Sequence, residues 1–409
     1  MTQQTVVHIA AHMGGGVGKV LSNVALEDTN YDHHIVLLEK PVDTVFTDKL
    51  RQSQLTIAPS IDVIQELAGW SDIVQFDWWG HPLLARVMYE VRDVPVRSVI
   101  WSHTAGCYYP YISPRLVNMP DAFIFSSKYS AENPFWTLTE RSVMKNIHFI
   151  NSSGGFAATQ NVQPVPHDGF NIGYVGTLGY MKLNPEFVQY CKLVSDIPGV
   201  KFVMIGRIPE PNLILQQAEE ERIADKFEFT GWVPDLPAEL AKLDVLGYLL
   251  NPYHFGTTEN ALLEAMSMGF PPVCFDQCAE KYLIKHDVSG YLVKSRQAYK
   301  NCITALYAHP ILRKEIGVAA REHVLKSFDL DTTIRKLGKV YDTVSHHDKR
   351  KMDITNSLGD TPYQWYRDGQ PPGDTSMFSK YLTDSTKGSV AQWHKYFPDD
   401  KLLAKMVNE

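Results

Sequence analysis

The sequence predicts an α/β protein built from two successive domains with parallel sheets, followed by a C-terminal extension. Three observations predict this fold class. Short apolar segments with strand character alternate with amphipathic helical segments over residues 5–126, and a second series of the same kind covers residues 172–308. Between the two series, residues 161–169 form a polar stretch with two prolines and a glycine, which is typical of a linker.

Within each series, the order of strands and helices is the one that builds a parallel sheet with right-handed crossovers. In the first series, strands are predicted at 5–12, 34–39, 73–76, 97–102 and 122–126, with helices at 18–27, 61–67 and 82–90. In the second, strands are predicted at 172–175, 202–205, 227–230, 245–250, 273–275 and 291–293, with helices at 185–195, 212–223, 237–242, 258–268, 279–285 and 297–308.

These patterns predict Rossmann-like domains at residues 1–165 and 166–335, with a ligand in the cleft between them. Residues 336–409 are predicted to complete a closing helix that begins near 329 and to add an aromatic-rich extension. The aromatic content of the extension argues against disorder. We expect it to pack on the body of the protein or on another subunit.

Composition and charge exclude several classes of protein. Hydrophobic residues make up 44% of the chain and charged residues 21%, as in a globular protein, and a net charge of −7 argues against nucleic-acid binding. The chain starts with a strand and contains no apolar run of membrane-spanning length, so we expect no signal peptide and a cytoplasmic protein. Only Cys274 and Cys278 lie close in sequence, without a suitable second pair or histidine, which predicts free thiols and no zinc site.

The most informative segment is 256–276, which is predicted to form a loop, a short helix and a buried strand. Thr257 and Thr258 are predicted to begin the helix, where free N–H groups can bind an anion. Asn260 and Glu264 are four residues apart, so both lie on one face of that helix. A carboxylate one turn beyond bound phosphates can accept two hydrogen bonds from a ribose diol, which indicates a nucleotide-diphosphate pocket. An ordinary amphipathic helix remains the alternative.

This segment resembles the donor-binding helix of retaining glycosyltransferases with the GT-B architecture, of the family 4 type. Glu264, followed by Ala265, Met266 and Gly269, matches the second of two glutamates that the family places eight positions apart. The position of the first glutamate is occupied by Gly256, and Glu259 is the nearest acid. Landmarks in family order extend the resemblance over about residues 10–340. It implies two Rossmann-like domains facing across a cleft.

A glycine-rich loop at residues 13–19 follows the first predicted strand. A phosphate-loop ATPase would need Ser or Thr after Lys19 and glycine at the first position, but Val20 and Met13 stand there. The resemblance instead implies that the loop faces the donor diphosphate and the acceptor through three glycines, Gly15, Gly16 and Gly18. A plain tight turn is the other interpretation.

The resemblance also assigns residues at the ends of other strands. Thr177 stands where the family has an arginine, and Lys182 keeps the spacing of the family's phosphate-binding lysine. Arg207, at the next strand end, is the candidate substitute for the missing arginine. Trp232 and Val233 are expected at the base, and His103 at the transferred sugar. The alternatives are a solvated surface residue for Lys182 and Arg207, and a structural histidine for His103.

The resemblance implies retaining transfer of a sugar from a nucleotide-diphosphate sugar, with UDP favoured over GDP, to a glycan, a lipid-linked or another hydroxyl acceptor. His103, Lys182 and Glu259 are the catalytic candidates. No cofactor and no metal are expected, because Asp329-Leu-Asp331 is predicted to cap a helix. Alternatives are a sugar-nucleotide epimerase of the same architecture and a non-catalytic nucleotide-sugar-binding partner of another transferase. Peripheral membrane contact and a homo-oligomer formed through the extension are left open.

Overall fold

The computed structural model describes residues 3–209, 212–373 and 388–408, and it divides into two compact units. The first unit spans Met1–Gly154 and Leu330–Glu409, and the second spans Gly155–Asp329. The units therefore change at 154/155 and 329/330, whereas the sequence-based boundaries lie at 165/166 and 335/336. Residues 374–387 of the predicted extension lie outside the described residues.

The first unit contains a seven-stranded sheet whose strands all pair in parallel. Its strands are β1 (Gln4–Ala10), β2 (Tyr31–Leu37), β3 (Leu55–Ile57), β4 (Ile73–Trp78), β5 (Ser98–Ser102), β6 (Ala122–Phe125) and β7 (Ile147–Phe149). Their order in the sheet is β3-β2-β1-β4-β5-β6-β7. The connecting helices are α1 (Gly15–Glu27), α2 (Ile61–Trp70), α3 (Pro82–Glu90), α4 (Pro114–Asn118) and α5 (Leu138–Val143). The five strands predicted in this region are confirmed.

The second unit contains a six-stranded parallel sheet. Its strands are β8 (Phe170–Val175), β9 (Val200–Ile205), β10 (Phe227–Gly231), β11 (Val245–Tyr248), β12 (Pro272–Phe275) and β13 (Tyr291–Val293), in the order β10-β9-β8-β11-β12-β13. Its helices are α6 (Phe187–Lys192), α7 (Leu213–Glu220), α8 (Leu236–Leu240), α9 (Asn260–Ser267), α10 (Glu280–Leu283), α11 (Arg296–Ala308) and α12 (Pro310–Ser327). Two parallel-sheet, Rossmann-like α/β units are thus confirmed, and α12 is a helix that the sequence analysis did not predict.

Five further helices belong to the first unit. They are α13 (Leu330–Ser345), α14 (Ile354–Leu358), α15 (Pro362–Asp368), α16 (Val390–Tyr396) and α17 (Lys401–Asn408). Leu337 and Tyr341 of α13 are fully buried in the same core as β1 and α1. Because the apolar face of α13 covers the first sheet, this helix belongs to the first unit from its first turn.

The C-terminal extension packs on the first unit. Trp365 and Trp393 are buried in the core that contains β4 and α3, and their neighbour Phe397 stacks on Trp393 with ring centroids 5.9 Å apart. A cluster of this kind hides several hundred square ångströms of aromatic surface from water. Packing of the extension on the body of the protein, one of the two outcomes predicted from its aromatic content, is therefore confirmed for the described residues.

No helix within the described ranges is both long enough and apolar enough to cross a membrane.

Candidate functional site

In the second unit, the strand order reverses between β8 and β11, which are neighbours in the sheet although three helices separate them in sequence. The loops that leave the carboxyl ends of two such strands run in opposite directions, and the gap between them is where open α/β sheets bind ligands. Lys182 follows β8 and Glu259 follows β11. The fold therefore brings together, at the carboxyl ends of β8 and β11, two predicted site residues that are 77 positions apart in sequence.

Lys182 and Glu259 form an ion pair at this edge, with 2.8 Å between Lys182 Nζ and Glu259 Oε2. The hydroxyl of Tyr248, the last residue of β11, donates to the same oxygen over 2.6 Å. The Glu259 side chain is only 1% exposed, whereas that of Lys182 is 21% exposed. An ammonium carries three N–H donors, so Lys182 can hold Glu259 and still reach a ligand oxygen.

The surroundings of Glu259 keep it charged. Burial raises the pKa of Glu259, but the charge of Lys182 and the hydrogen bonds from Lys182 and Tyr248 outweigh that effect and lower the pKa below its usual value of 4.5. Burial and the adjacent Glu259 carboxylate raise the pKa of Tyr248 well above its usual value, so the phenol remains a donor. Within the described residues, Glu259 Oε1 has no hydrogen-bond partner.

Helix α9 begins later than predicted. Glu259 adopts a left-handed conformation (φ 46°, ψ 62°), which is not compatible with a helical turn, so the helix starts at Asn260. The prediction that Thr257 and Thr258 open the helix is therefore wrong. Both threonines are buried in the preceding loop instead. Asn260 and Glu264 do lie one turn apart on α9, both half-buried and both engaged with other residues.

Close packing with α12 fixes the far end of α9. An added Cβ on Gly317 would lie only 1.9 Å from the carbonyl oxygen of Gly269, so α12 can approach the turn after α9 only with glycine at this position. Arg321, also on α12, donates to the carbonyl oxygen of Ser267 over 2.5 Å. The position of Glu264 is thus determined by the packing of two helices.

Three more predicted residues lie at the same sheet edge, each following a glycine with positive φ. Thr177, Arg207 and Trp232 come directly after three glycines at strand ends: Gly176 and Gly206 follow β8 and β9, and Gly231 is the last residue of β10. Gly206 approaches Gly176 so closely that an added Cβ would lie 2.0 Å from the Gly176 carbonyl oxygen. All three following side chains are exposed, and Val233 next to Trp232 is half-buried.

Behind Glu259, the structure brings His254, Cys278 and Glu280 together, with one potential metal-ligand atom of each within 4.8 Å of the others. The sequence analysis found no histidine near Cys278, and that conclusion is wrong because the fold supplies His254. His254 Nδ1 accepts a hydrogen bond from Gly256 N–H over 3.0 Å, which places the proton of the neutral ring on Nε2, 3.2 Å from Glu280 Oε2. A protonated ring nitrogen cannot bind a metal, so these residues fit a hydrogen-bonded His–Glu pair better than a metal site.

In the first unit, the predicted glycine loop lies at the beginning of α1. Gly15 and Gly16 are exposed in the first turn, and Gly15 has φ +59°. Gly18 is buried, and an added Cβ there would lie 2.5 Å from the Met13 carbonyl oxygen. The loop therefore needs glycine for close backbone approach as well as for conformation.

His103 lies at the carboxyl end of β5, in the first unit. Its Nε2 is 3.0 Å from Oδ1 of the buried Asp77, and its side chain is 2% exposed. His103 is thus a well-defined part of a buried polar cluster, and the sequence analysis did not identify the aspartate that holds it.

Comparison with known proteins adds a family match for the second unit. Residues 156–323 match the family model described as Glycosyl transferases group 1. The matched range contains Lys182, Glu259 and Glu264. Together with the structural neighbours described next, it supports a glycosyltransferase of the GT-B fold.

Solved structures share the fold over most of the chain. A glycosyltransferase from Rickettsia africae superposes with a TM-score of 0.69 at 15% identity, covering 85% of this chain and 100% of the other. HepE of Anabaena, crystallised with UDP, superposes with a TM-score of 0.66 at 16% identity, covering 84% of this chain and 100% of the other. Similarity at this level of identity is similarity of fold.

One curated protein is similar in sequence over a short segment. A 2-deoxystreptamine N-acetyl-D-glucosaminyltransferase of Streptomyces fradiae is 30% identical over 105 residues. That segment is 24% of this chain and 24% of the length of the relative.

Several residues of the two clusters were not identified from the sequence. Tyr248 hydrogen-bonds to Glu259 of the Lys182–Glu259 pair. Asp77 hydrogen-bonds to His103, and Gln75 and Tyr341 continue that chain of hydrogen bonds behind Asp77. The available signal was the presence of polar residues inside strands that are otherwise apolar, as in the sequence Ile-Val-Gln-Phe-Asp-Trp of β4. A polar side chain in a fully buried strand needs a hydrogen-bond partner, so such a residue in the sequence predicts a buried polar cluster.

Proposed function

We propose that this protein is a retaining glycosyltransferase that transfers a sugar from a nucleotide-diphosphate sugar to a hydroxyl group of a glycan, a lipid-linked or another acceptor. The observation that carries the proposal is the Lys182–Glu259 ion pair at the strand-order reversal of a unit that matches the group 1 glycosyl transferase family. UDP is favoured over GDP, and the UDP-bound and UDP-glucose-bound forms of the Anabaena neighbour support this choice.

Each predicted residue has a role in the proposed reaction. Lys182 and the main-chain N–H groups near Thr257, Thr258 and Glu259, just before α9, stabilise the negative charge that develops on the leaving diphosphate. Glu264 holds the ribose hydroxyls, with Asn260 beside it on the helix. Trp232 and Val233 contact the base, and Thr177 and Arg207 lie along the diphosphate.

The acid Glu259 has a supporting role in this scheme. Its charge holds Lys182 Nζ, so the ammonium is positioned before the donor binds. His103 contacts the transferred sugar, and the loop of Gly15, Gly16 and Gly18 contacts the diphosphate and the acceptor.

Retention follows from attack on the face that the nucleotide leaves. The acceptor oxygen forms a bond to the anomeric carbon as the bond to the phosphate oxygen breaks, and the acceptor proton moves to that phosphate oxygen. No carboxylate nucleophile is required. Lys182 and the amides supply the positive charge that the leaving group needs, so the proposed reaction uses neither a metal nor a cofactor.

A panel of UDP-, GDP- and ADP-sugars, each tested with a mixed acceptor extract, examines the proposal directly. We expect release of nucleotide with a UDP-sugar and a product whose anomeric configuration, read by NMR, equals that of the donor. Lys182→Ala is expected to lower kcat/KM by about 100-fold or more. Lys201→Ala is the matched control, because Lys201 is an exposed lysine 3.9 Å from Glu228 in the same unit.

Three outcomes would contradict the proposal in different ways. An inverted product would exclude the retaining mechanism. Conversion of the donor without any acceptor would favour the epimerase, and donor binding without turnover would favour the non-catalytic partner.

A further inference from the structure

In the first unit, a chain of buried hydrogen bonds crosses the sheet and ends at His103. Tyr341 of α13 donates to Gln75 Oε1 over 2.6 Å, Gln75 Nε2 donates to Asp77 Oδ1 over 3.0 Å, and Asp77 Oδ1 lies 3.0 Å from His103 Nε2. The Asp77 side chain is 0% exposed. The glycosyl transfer proposed above assigns no role to Asp77, the partner of His103, or to Gln75 and Tyr341 behind it.

The directions of these hydrogen bonds are determined. An ionised carboxylate can only accept, so the amide nitrogen of Gln75 faces Asp77, and the carbonyl oxygen of Gln75 accepts from the Tyr341 phenol. Gln75 therefore donates to Asp77 Oδ1 and to His8 Nδ1, which is 3.1 Å away. Asp77 has no proton to give, because the hydrogen bond from His103 lowers the pKa of its carboxyl group although burial raises it. It accepts from the Nε2–H of His103.

This arrangement determines the tautomer of His103. With the proton of the neutral ring on Nε2, the other nitrogen, Nδ1, carries a lone pair. Nδ1 is buried, and the described part of the chain gives it no hydrogen-bond partner. Buried ring nitrogens are normally satisfied, so an unpaired acceptor here indicates a group that arrives with a ligand.

The ring also has little freedom to turn. The His103 backbone N–H donates to the Trp78 carbonyl oxygen over 2.8 Å, and the rings of Trp101 and Trp79 lie with centroids 4.9 and 6.4 Å from the imidazole. Position and tautomer of the acceptor nitrogen are therefore both set before any ligand binds.

We propose that Asp77 is a positioning residue that holds His103 with Nδ1 as a hydrogen-bond acceptor for a hydroxyl group of the transferred sugar. This proposal rests on the proposed function for its ligand. Gln75 and Tyr341 hold the Asp77 carboxylate in turn, so the C-terminal helix α13 contributes to the geometry of His103 through Tyr341.

Two substitutions distinguish the role of Asp77 as a hydrogen-bond acceptor from the role of its negative charge. Asp77→Asn can keep a carbonyl oxygen toward Gln75 and His103, while its new amide nitrogen faces His8 Nδ1, which is 3.5 Å from the present Oδ2. Asp77→Leu removes the acceptor altogether. Asp28→Leu is the matched control, because Asp28 is a second buried aspartate with a histidine partner, His33, at 3.1 Å.

The first readout is NMR of the full-length protein with ¹⁵N-labelled histidine in mildly alkaline buffer, with the signals of His103 assigned by their loss in His103→Gln. We expect a protonated Nε2 and a bare Nδ1 in the wild type, in Asp77→Asn and in Asp28→Leu. A mixture of tautomers is expected in Asp77→Leu. A wild-type His103 that carries its proton on Nδ1, or an unchanged tautomer in Asp77→Leu, would overturn the proposal.

The second readout is steady-state kinetics with the sugar donor identified by the panel above. We expect kcat/KM to fall about 100-fold in Asp77→Leu, because a displacement of about 1 Å of a group that contacts the substrate can lower the rate by about that factor. In Asp77→Asn and Asp28→Leu we expect a fall of less than about 10-fold. Equal losses in Asp77→Leu and Asp28→Leu would indicate a structural role only and would reject the proposal. If no donor is turned over while the NMR result holds, the proposed function fails and the tautomer assignment stands.

Discussion

Lys182 Nζ and Glu259 Oε2 lie 2.8 Å apart, and this ion pair links the loops that follow two adjacent strands of the second sheet. The ion pair with Lys182 and the hydrogen bond from Tyr248 offset the desolvation of the buried Glu259 carboxylate. Removal of the cation would leave a buried carboxylate with only the phenol.

We expect Lys182→Met to lower the free energy of unfolding by about 3 kcal/mol, because breaking a buried ion pair leaves an uncompensated charge. Addition of Glu259→Gln to this variant is expected to recover part of the loss. Urea unfolding of both variants and of Glu259→Gln alone measures the coupling. Additive effects of the two substitutions would show that the pair does not contribute to stability.

The lowered pKa of Glu259 predicts a specific pH dependence. The folded pKa lies below the unfolded value of 4.5, so the stabilisation by the charged form is complete above pH 4.5 and is lost as the pH falls through the folded pKa. The free-energy advantage of the wild type over Glu259→Gln should therefore shrink on acidification below pH 4.5. Urea titrations over an acidic pH series test this, and an advantage that grows toward low pH would contradict it.

Glu264 is predicted to bind the ribose of the nucleotide. Hydrogen bonds to a charged group contribute about 1.5–3 kcal/mol, so Glu264→Ala is expected to weaken UDP binding by about 10–100-fold in calorimetry. Glu228→Ala is the control, because its side chain is 55% exposed on β10. Equal UDP affinities for the two variants would remove Glu264 from the site.

Gly18 is predicted to be intolerant of a side chain. A Cβ would lie 2.5 Å from the Met13 carbonyl oxygen and 2.7 Å from Phe46 Cδ2, so we expect Gly18→Ala to lower the free energy of unfolding by about 1–3 kcal/mol. In Gly69→Ala the new Cβ would meet only Val94, at 3.5 Å, and the helix should gain about 0.5–1 kcal/mol. Urea unfolding of the two variants should give effects of opposite sign.

The C-terminal extension is predicted to stabilise the first unit. Trp393 is 3% exposed in the core that it shares with Tyr366, so Trp393→Ala should cost about 3–5 kcal/mol. Trp70, which is 63% exposed, is the control, and Trp70→Ala should change stability by less than about 0.5 kcal/mol. Thermal unfolding with tryptophan fluorescence and circular dichroism measures both, and an unchanged midpoint in Trp393→Ala would show that the extension is dispensable for stability.

Local patterns in the sequence determined most of the fold. The predicted strands recur within a few residues of their observed bounds, from β1 to β13, because β-branched and aromatic runs between turn residues are local signals. Two of the elements that were missed have weak local signals: β3 has only three residues, and α12 contains a glycine and carries its polar residues around most of its surface.

The residues of the site were predicted only in part. Lys182, Glu264 and His103 could be named from motif spacing, which is a property of the chain alone. The left-handed conformation of Glu259 could not be predicted, because a non-glycine residue adopts it only when its surroundings hold it there. The same holds for the helix start at Asn260.

The sequence by itself determined the two parallel sheets, their order along the chain and the glycines that permit close backbone contacts. Only the tertiary structure decided the partners: Tyr248 with Glu259, His254 with Glu280, and Asp77 with His103. Strand and helix propensities arise from neighbouring residues, whereas the partner of a buried charge is chosen by whichever distant segment the sheet order places beside it.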